Sequence, residues 1–269
     1  MKLGANDINA VKIGATDVNK VYLGSDLVWE ASGGILDFSP YNVWDSEHVS
    51  IVGTTTTFED FNNVGTAYDL ANPAATNQPT YTASDSDFNN LPSFTFDGVG
   101  DYLINNVSDY RTSDNSGVMI CVIKRNLADI SPILSFGAGA GTTRMSIRVT
   151  ATGALQFVKL GGTGGNRINT TTTLANNTQS YVLAIASTGS VYKMFIDNGS
   201  ESFSGTDDGI WLSAYGTPNT LNNISIGASV SGSINYADAK IAMCGYFPYV
   251  SDTKTVEIIN FLKTKYGIN

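Results

Sequence analysis

The chain has 269 residues, a formal net charge of −9 at pH 7 and only 14% charged residues. With a pI near 4.4 and no basic cluster, it argues against a nucleic-acid or anionic-membrane partner. Gly (27), Tyr (13) and Phe (12) are abundant and Glu occurs only five times, the profile of an all-β protein with many turns.

Residues 2–29 repeat about every ten positions. Lys2-Leu3-Gly4-Ala5-Asn6-Asp7-Ile8-Asn9-Ala10-Val11 is followed by Lys12-Ile13-Gly14-Ala15-Thr16-Asp17-Val18-Asn19-Lys20-Val21, and then by a shorter copy, Tyr22-Leu23-Gly24-Ser25-Asp26-Leu27-Val28-Trp29. Gly with Asn or Asp supplies tight turns, and Val11/Ile13 and Val21/Leu23 alternate with a strand period. Each copy therefore reads as strand, turn, strand. Strands this short bury too little to stand alone. The segment either docks on the rest of the chain as a β-meander or joins it to a larger assembly. The pattern Lys-Ile-Gly, Lys-Val-Tyr-Leu-Gly and closing Val-Trp resembles the short N-terminal repeat of many tailed-phage virion proteins, which precedes a variable C-terminal domain. That resemblance implies a bacteriophage structural protein, located in the virion and assembled in the host cytoplasm. Val11, Ile13, Val21, Tyr22, Leu23 and Trp29 are then the candidate attachment residues. Other virion proteins, and sister copies in a homo-oligomer, are the expected partners of residues 1–30.

Met1-Lys2 leads directly into polar repeat with no apolar signal region, and no stretch approaches the length of a membrane span. Neither a membrane partner nor classical export is expected. Glu30 to Gly34 reads as a Gly-rich linker, with 31–34 separating the module 1–30 from a main domain 35–269. Ile35-Leu36-Asp37-Phe38 is expected to open that domain as a strand, and residues 39–92 to be loop-rich, holding edge strands and surface loops. Phe94-Thr95-Phe96 and Tyr102-Leu103-Ile104 flank Asp97-Gly98-Val99-Gly100 and read as a hairpin. Residues 118–123 are apolar throughout, so they predict a strand buried on both faces. Arg144–Val149 alternates and predicts one wet face. Further strands are expected at 154–160, 181–186, 191–196, 224–227 and 240–247. Asp252 is placed to cap a helix through Tyr266, with Gly267 ending it and Val256, Ile259, Leu262 and Tyr266 on its apolar side.

About a dozen evenly spaced strands and one helix predict a two-sheet sandwich. Ser93 to Leu103 resembles the opening signature of laminin-G-like, concanavalin A-like jelly rolls. Phe195-Ile196-Asp197-Asn198-Gly199 resembles their hairpin, Asn223 to Ala228 their penultimate strand, and Ala239 to Ile268 their last strand and helix. The fold class is accordingly all-β: a jelly-roll sandwich with a C-terminal helix, preceded by the β-repeat module. The resemblance implies that the strands of Cys121 and Cys244 pair, and we expect both thiols to stay reduced as core residues.

The resemblance also implies a sugar- or protein-binding module more often than an enzyme. Laminarinase-like relatives use Glu-x-Asp-x-x-Glu, and none of Glu30, Glu47, Glu59, Glu201 and Glu257 has that spacing. There is no Gly-x-Ser-x-Gly elbow, and Gly161 to Gly165 carries no P-loop Lys. The lone His48 cannot supply a zinc site. No catalytic residue and no cofactor are expected, with calcium left open for Asp pairs. The candidate ligand residues are Trp211, Tyr215, Asp207 and Asp208 on the long loop before Asn223, with Trp44 as a second aromatic candidate. Against them stands the simpler reading that Trp211 and Tyr215 pin their own loop to the core. The Asp97–Asp101 segment likewise reads first as turn chemistry. Two functions stay open: a virion protein displaying a lectin-like domain that binds host-surface glycan or decorates the particle, and a non-virion bacterial carbohydrate-binding or glycoside-hydrolase protein.

Overall fold

The structure is a computed structural model. It describes residues 34–269 apart from 54, 64–67, 73, 108–109, 112, 127–128, 138–142, 161–165, 216–220 and 230–234, together with the backbone of six short strands in residues 1–33. The chain divides into two compact units, Met1–Ser39 and Pro40–Asn269.

In the first unit each repeat copy is a hairpin. β1 (Lys2–Leu3) pairs with β2 (Asn6–Asp7), β3 (Val11–Ile13) with β4 (Thr16–Val18), and β5 (Lys20–Leu23) with β6 (Asp26–Glu30), all antiparallel. The registers Leu3↔Asn6, Ile13↔Thr16 and Leu23↔Asp26 each place a Gly and a small residue between the paired strands. Among the described residues each hairpin pairs only with itself. Val11, Ile13, Val21, Tyr22, Leu23 and Trp29 lie on these strands, and their side chains lie outside the described residues. Ile35–Phe38 is a 3₁₀ turn and not the expected strand. Asp37 N–H donates to Gly34 O at 3.0 Å and Ser39 N–H to Leu36 O at 2.9 Å, so local bonds use the donors a ladder would need.

The second unit is a jelly-roll sandwich. Its strands are β7 (Asn42–Val52), β8 (Thr55–Asp60), β9 (Leu70–Ala71), β10 (Thr80–Asp85), β11 (Leu91–Asp97), β12 (Leu103–Asn106), β13 (Gly117–Arg125) and β14 (Ser131–Gly137). They continue through β15 (Arg144–Val149), β16 (Ala154–Leu160), β17 (Asn166–Thr173), β18 (Ser180–Ser187), β19 (Tyr192–Ile196), β20 (Gly199–Ser200), β21 (Phe203–Ser204), β22 (Asn223–Ile226) and β23 (Asp238–Phe247), and the helix α1 (Asp252–Tyr266) follows. One layer runs β10-β11-β23-β13-β18-β19-β20, with β7 beside the second half of β23. The other runs β9-β12-β22-β14-β15-β16-β17-β21. β8 bridges them, pairing with β7 and β9. Residues 39–92 thus hold an edge strand as expected, β10 beside β11, and also the eleven-residue β7.

The layers meet over one core. Met119, Cys121 and Ile123 of β13 enter it from one side, and Ile147 of β15 and Phe157 of β16 from the other. The Phe136 and Tyr246 rings meet across it at 5.9 Å between centroids. The alternate residues of β13, Val118, Ile120 and Val122, are equally buried but face outward, where α1 packs on β13 and β18. That explains the unbroken apolar run at 118–123. Cys121 stands directly opposite Cys244 in the β13–β23 ladder, as the resemblance implied.

Three local expectations need correction. β11 and β12 are not a hairpin: β11 pairs in the first layer and β12 in the second, so the Asp97–Gly100 turn crosses between layers. Asp97 Oδ1 accepts from the N–H groups of Val99 and Gly100 at 2.8 and 3.0 Å, and Gly98 takes φ +76°. Such a turn is closed by its own side chain and needs no ladder between its flanks. The helix is capped by Ser251, whose Oγ accepts from Lys254 N–H, and not by Asp252, which is its first residue. Gly267 ends it in the left-handed conformation, and Ile258 takes the buried position expected of Val256.

Candidate functional site

The outer faces of the two layers differ. One is covered by α1. The other, parity-opposite to the core on β12, β22, β14, β15, β16 and β17, is polar.

Cross-strand register sorts this face into rows. Leu103, Ile226, Leu134, Ile147, Phe157 and Ile168 form a core-facing row. On the opposite face one row holds Ile104, Ser225, Ser135, Ser146, Val158 and Arg167. A second holds Pro132, Arg148, Gln156, Asn169 and Ser204. A third holds Asn106, Asn223, Gly137, Arg144 and Leu160.

These side chains are secluded. Ser135, Ser146 and Ser225 are 0% exposed, Asn223 1%, and Arg144 and Arg148 4% each. The polar side of Arg144–Val149 is therefore not the wet face its alternation suggested. Alternation reports that two faces differ and is silent on whether water reaches the second. Within the cluster, Arg148 Nε donates to Gln156 Oε1 at 2.5 Å, and Gln156 Nε2 donates to Asn169 Oδ1. Ser225 Oγ donates to Ala228 O at 3.0 Å. Ser135 Oγ, Ser146 Oγ and Asn223 Oδ1 are buried with no hydrogen-bond partner. Leaving such a group unsatisfied costs about 1–3 kcal/mol.

The electrostatics agree. Burial, and then the charges of Arg167 and Arg144, push the Arg148 guanidinium down to about 10. Burial and the Arg167 charge also lower Arg144. Among the described residues no carboxylate lies within ion-pair distance of Arg148.

The aromatic candidates sit elsewhere. Trp211 is 1% exposed, and its ring stacks on Phe157 at 5.6 Å while Nε1 donates to Tyr246 Oη at 3.0 Å. Trp44 is 0% exposed and donates to Tyr68 O at 2.8 Å. Neither ring offers a face to a ligand, because each fills the core and spends its N–H there. Asp207 accepts from Tyr192 N–H at 2.5 Å. Asp208 accepts from Lys159 Nζ at 2.6 Å, Tyr192 Oη at 2.9 Å and Ile210 N–H at 3.1 Å. Burial alone would raise the Asp208 carboxyl, and these bonds outweigh it and hold it below its ordinary value. Both acids tie the loop to the sandwich. The Tyr215 side chain lies outside the described residues. Among the described residues no group of three or more His, Cys, Asp or Glu side chains could hold a metal ion.

The sequence reading missed Arg148, Gln156, Ser135 and Ser146. The available signal was polar residues at alternate positions of consecutive strands, and it becomes a site only once the registers are known.

No protein-family model and no curated relative matches the chain. Solved structures do. Trypanosoma rangeli sialidase in complex with sialic acid aligns at TM-score 0.55 and 14% identity, over 83% of this chain and 32% of that one. The same enzyme in complex with 2,3-difluoro-KDN aligns at 0.55 and 12%, over the same shares. Ruminococcus gnavus IT-sialidase CBM40 bound to α2,3 sialyllactose gives 0.49 and 14%, over 63% of this chain and 95% of that one. The chain thus spans about a third of the Trypanosoma rangeli enzyme, and at these identities the likeness is one of fold.

Proposed function

We propose that the Pro40–Asn269 unit binds saccharide, without catalysis, and that the N-terminal hairpins attach it to a bacteriophage particle. The observation that supports the binding reading is the sandwich fold, which aligns over 83% of this chain with part of a sialidase in complex with sialic acid. The fold shared with part of a sialidase is consistent with this reading. A glycan array probed with the full chain tests it: binding to a defined set of glycans is expected, and a blank array counts against it.

The attachment reading rests on the repeat. Among the described residues each of the three hairpins pairs only with itself, and unpaired edges invite another chain's strand. Quantitative mass spectrometry of purified particles is expected to find the chain at a symmetric copy number. Its absence from particles would leave the non-virion carbohydrate-binding reading.

A further inference from the structure

We propose that the cavity between the β10–β11 link, the β17–β18 loop and the residues after α1 holds one neutral pyranose ring, bound by the side chains of Ser86, Thr178, Gln179 and Asn269. This deepens the saccharide reading above and rests on it.

The cavity encloses about 250 Å³ and is lined by Ser86, Asp87, Thr178, Gln179, Ser180 and the segment Gly267–Asn269. Three stretches far apart in the chain build it, and bonds behind the wall hold them together. Ser180 Oγ donates to Asp87 O at 2.7 Å, joining the start of β18 to the 3₁₀ turn Ser86–Phe88. Asn89 Nδ2 donates to Lys265 O at 3.2 Å, joining the same link to the end of α1. Ile268 N–H donates to Lys263 O at 2.9 Å and fixes the chain after the helix. Ile268 is 9% exposed, so the cavity has an apolar residue at its base and exposed polar residues at its rim.

The charged groups of the wall are already spent. Asp87 Oδ1 accepts from Lys124 Nζ and Oδ2 from Lys240 Nζ, both at 2.7 Å, and Lys240 also reaches Asp85. Two lysines thus balance two aspartates, and no carboxylate oxygen of Asp87 is left for a cation. The C-terminal end of a helix is the negative end of its dipole, and the protein carries a net charge of −9, so an anion is disfavoured there as well. What remains is uncharged. Among the described residues the side chains of Ser86, Thr178, Gln179 and Asn269 have no hydrogen-bond partner within the protein. Two hydroxyls and two amides supply donors and acceptors together, and the hydroxyls of a sugar ring need both. The volume lies just under the roughly 300–1,000 Å³ of pockets for drug-sized ligands, which leaves room for one ring and not for a chain. No aromatic ring lines the cavity, so binding rests on hydrogen bonds exchanged with water and is expected in the millimolar range.

Titration of the ¹⁵N-labelled full chain, followed by two-dimensional NMR, provides the test. The probes are the methyl glycosides of glucose, galactose, mannose and N-acetylglucosamine. One of them is expected to shift the amide signals of residues 86–87, 178–180 and 267–269 saturably. Gln179→Ala, at an exposed loop position, is expected to weaken that binding about three- to tenfold with no change in urea midpoint. If none of the four binds while the glycan array reports a ligand, that glycan is titrated in the same way and its shifts decide. Shifts confined to other residues, or binding unchanged in Gln179→Ala, overturn the assignment of this cavity and leave the saccharide reading intact. No shift with any probe, together with a blank glycan array, overturns both.

Discussion

Ser135 and Ser146 face each other across β14 and β15, fully buried, each with a hydroxyl that has no partner. Ser135→Ala and Ser146→Ala delete only that hydroxyl and keep Cβ in place. Relief of an unsatisfied buried hydroxyl contributes about 1–3 kcal/mol, and the loss of one packed atom takes back a few tenths. Each variant should therefore be more stable than the parent by about 1 kcal/mol. In a unit of this size that is a rise of about 2–4 °C in Tm. The gain of the double variant should depart from the sum of the two, because the residues share the same space. Urea titrations and thermal melts measure the gain, and both variants should unfold later than the parent. A variant less stable than the parent by more than about 0.5 kcal/mol would show that the hydroxyl is bonded in the free protein. The reasoning from an unsatisfied buried hydroxyl would then fail at that residue.

Lys265→Met should cost about 3–5 kcal/mol, because it strands Asp45, whose side chain is 2% exposed. Asp45→Asn in the same chain should recover most of that loss in a urea double-mutant cycle, and no recovery would refute the pairing argument. Burial first, and then the Asp97 charge, raise the Asp101 carboxyl to about 6. Its contribution to stability is full below the unfolded carboxyl's value and is lost as pH rises through about 6. Asp101→Asn should therefore gain on the parent in urea midpoint as pH rises from the acid side of that window to neutrality, and a constant difference across it would contradict the assignment. Deleting residues 1–29 should leave a folded remainder that no longer enters particles, whereas unchanged copy number in purified particles would place the attachment elsewhere.

What could be read from the sequence was local. Residues 118–123 announced a doubly covered strand, because so short a run with no polar position leaves neither side of a strand for water. The ten-residue period announced hairpins, since Gly and a small residue recur where each turn must fall. The Asp97–Gly100 turn misled, because a hairpin and a crossover between layers use the same turn chemistry and differ only in distant partners. Trp44 misled because an indole suits a core and a sugar equally, and only its burial and its hydrogen bond to the Tyr68 carbonyl decide; Trp211 follows the simpler reading that it pins its loop to the core, stacked on Phe157 with its N–H given to Tyr246. The polar face needed register: Ser135, Ser146 and Ser225 are ordinary serines until three strands align them.

β23 is hydrogen-bonded along one side to β13, and along the other first to β11 and then to β7. Two strands from early in the chain therefore wait for one made near its end. During synthesis at the ribosome, the first layer cannot close until β23 has emerged. Until then β7, β11 and one side of β13 are open to whatever else meets them. Contacts so distant in sequence make for slow folding and a long-lived, association-prone intermediate. Folding yield should respond to translation speed and to chaperones acting late in synthesis, more than to anything done to the strands that appear first.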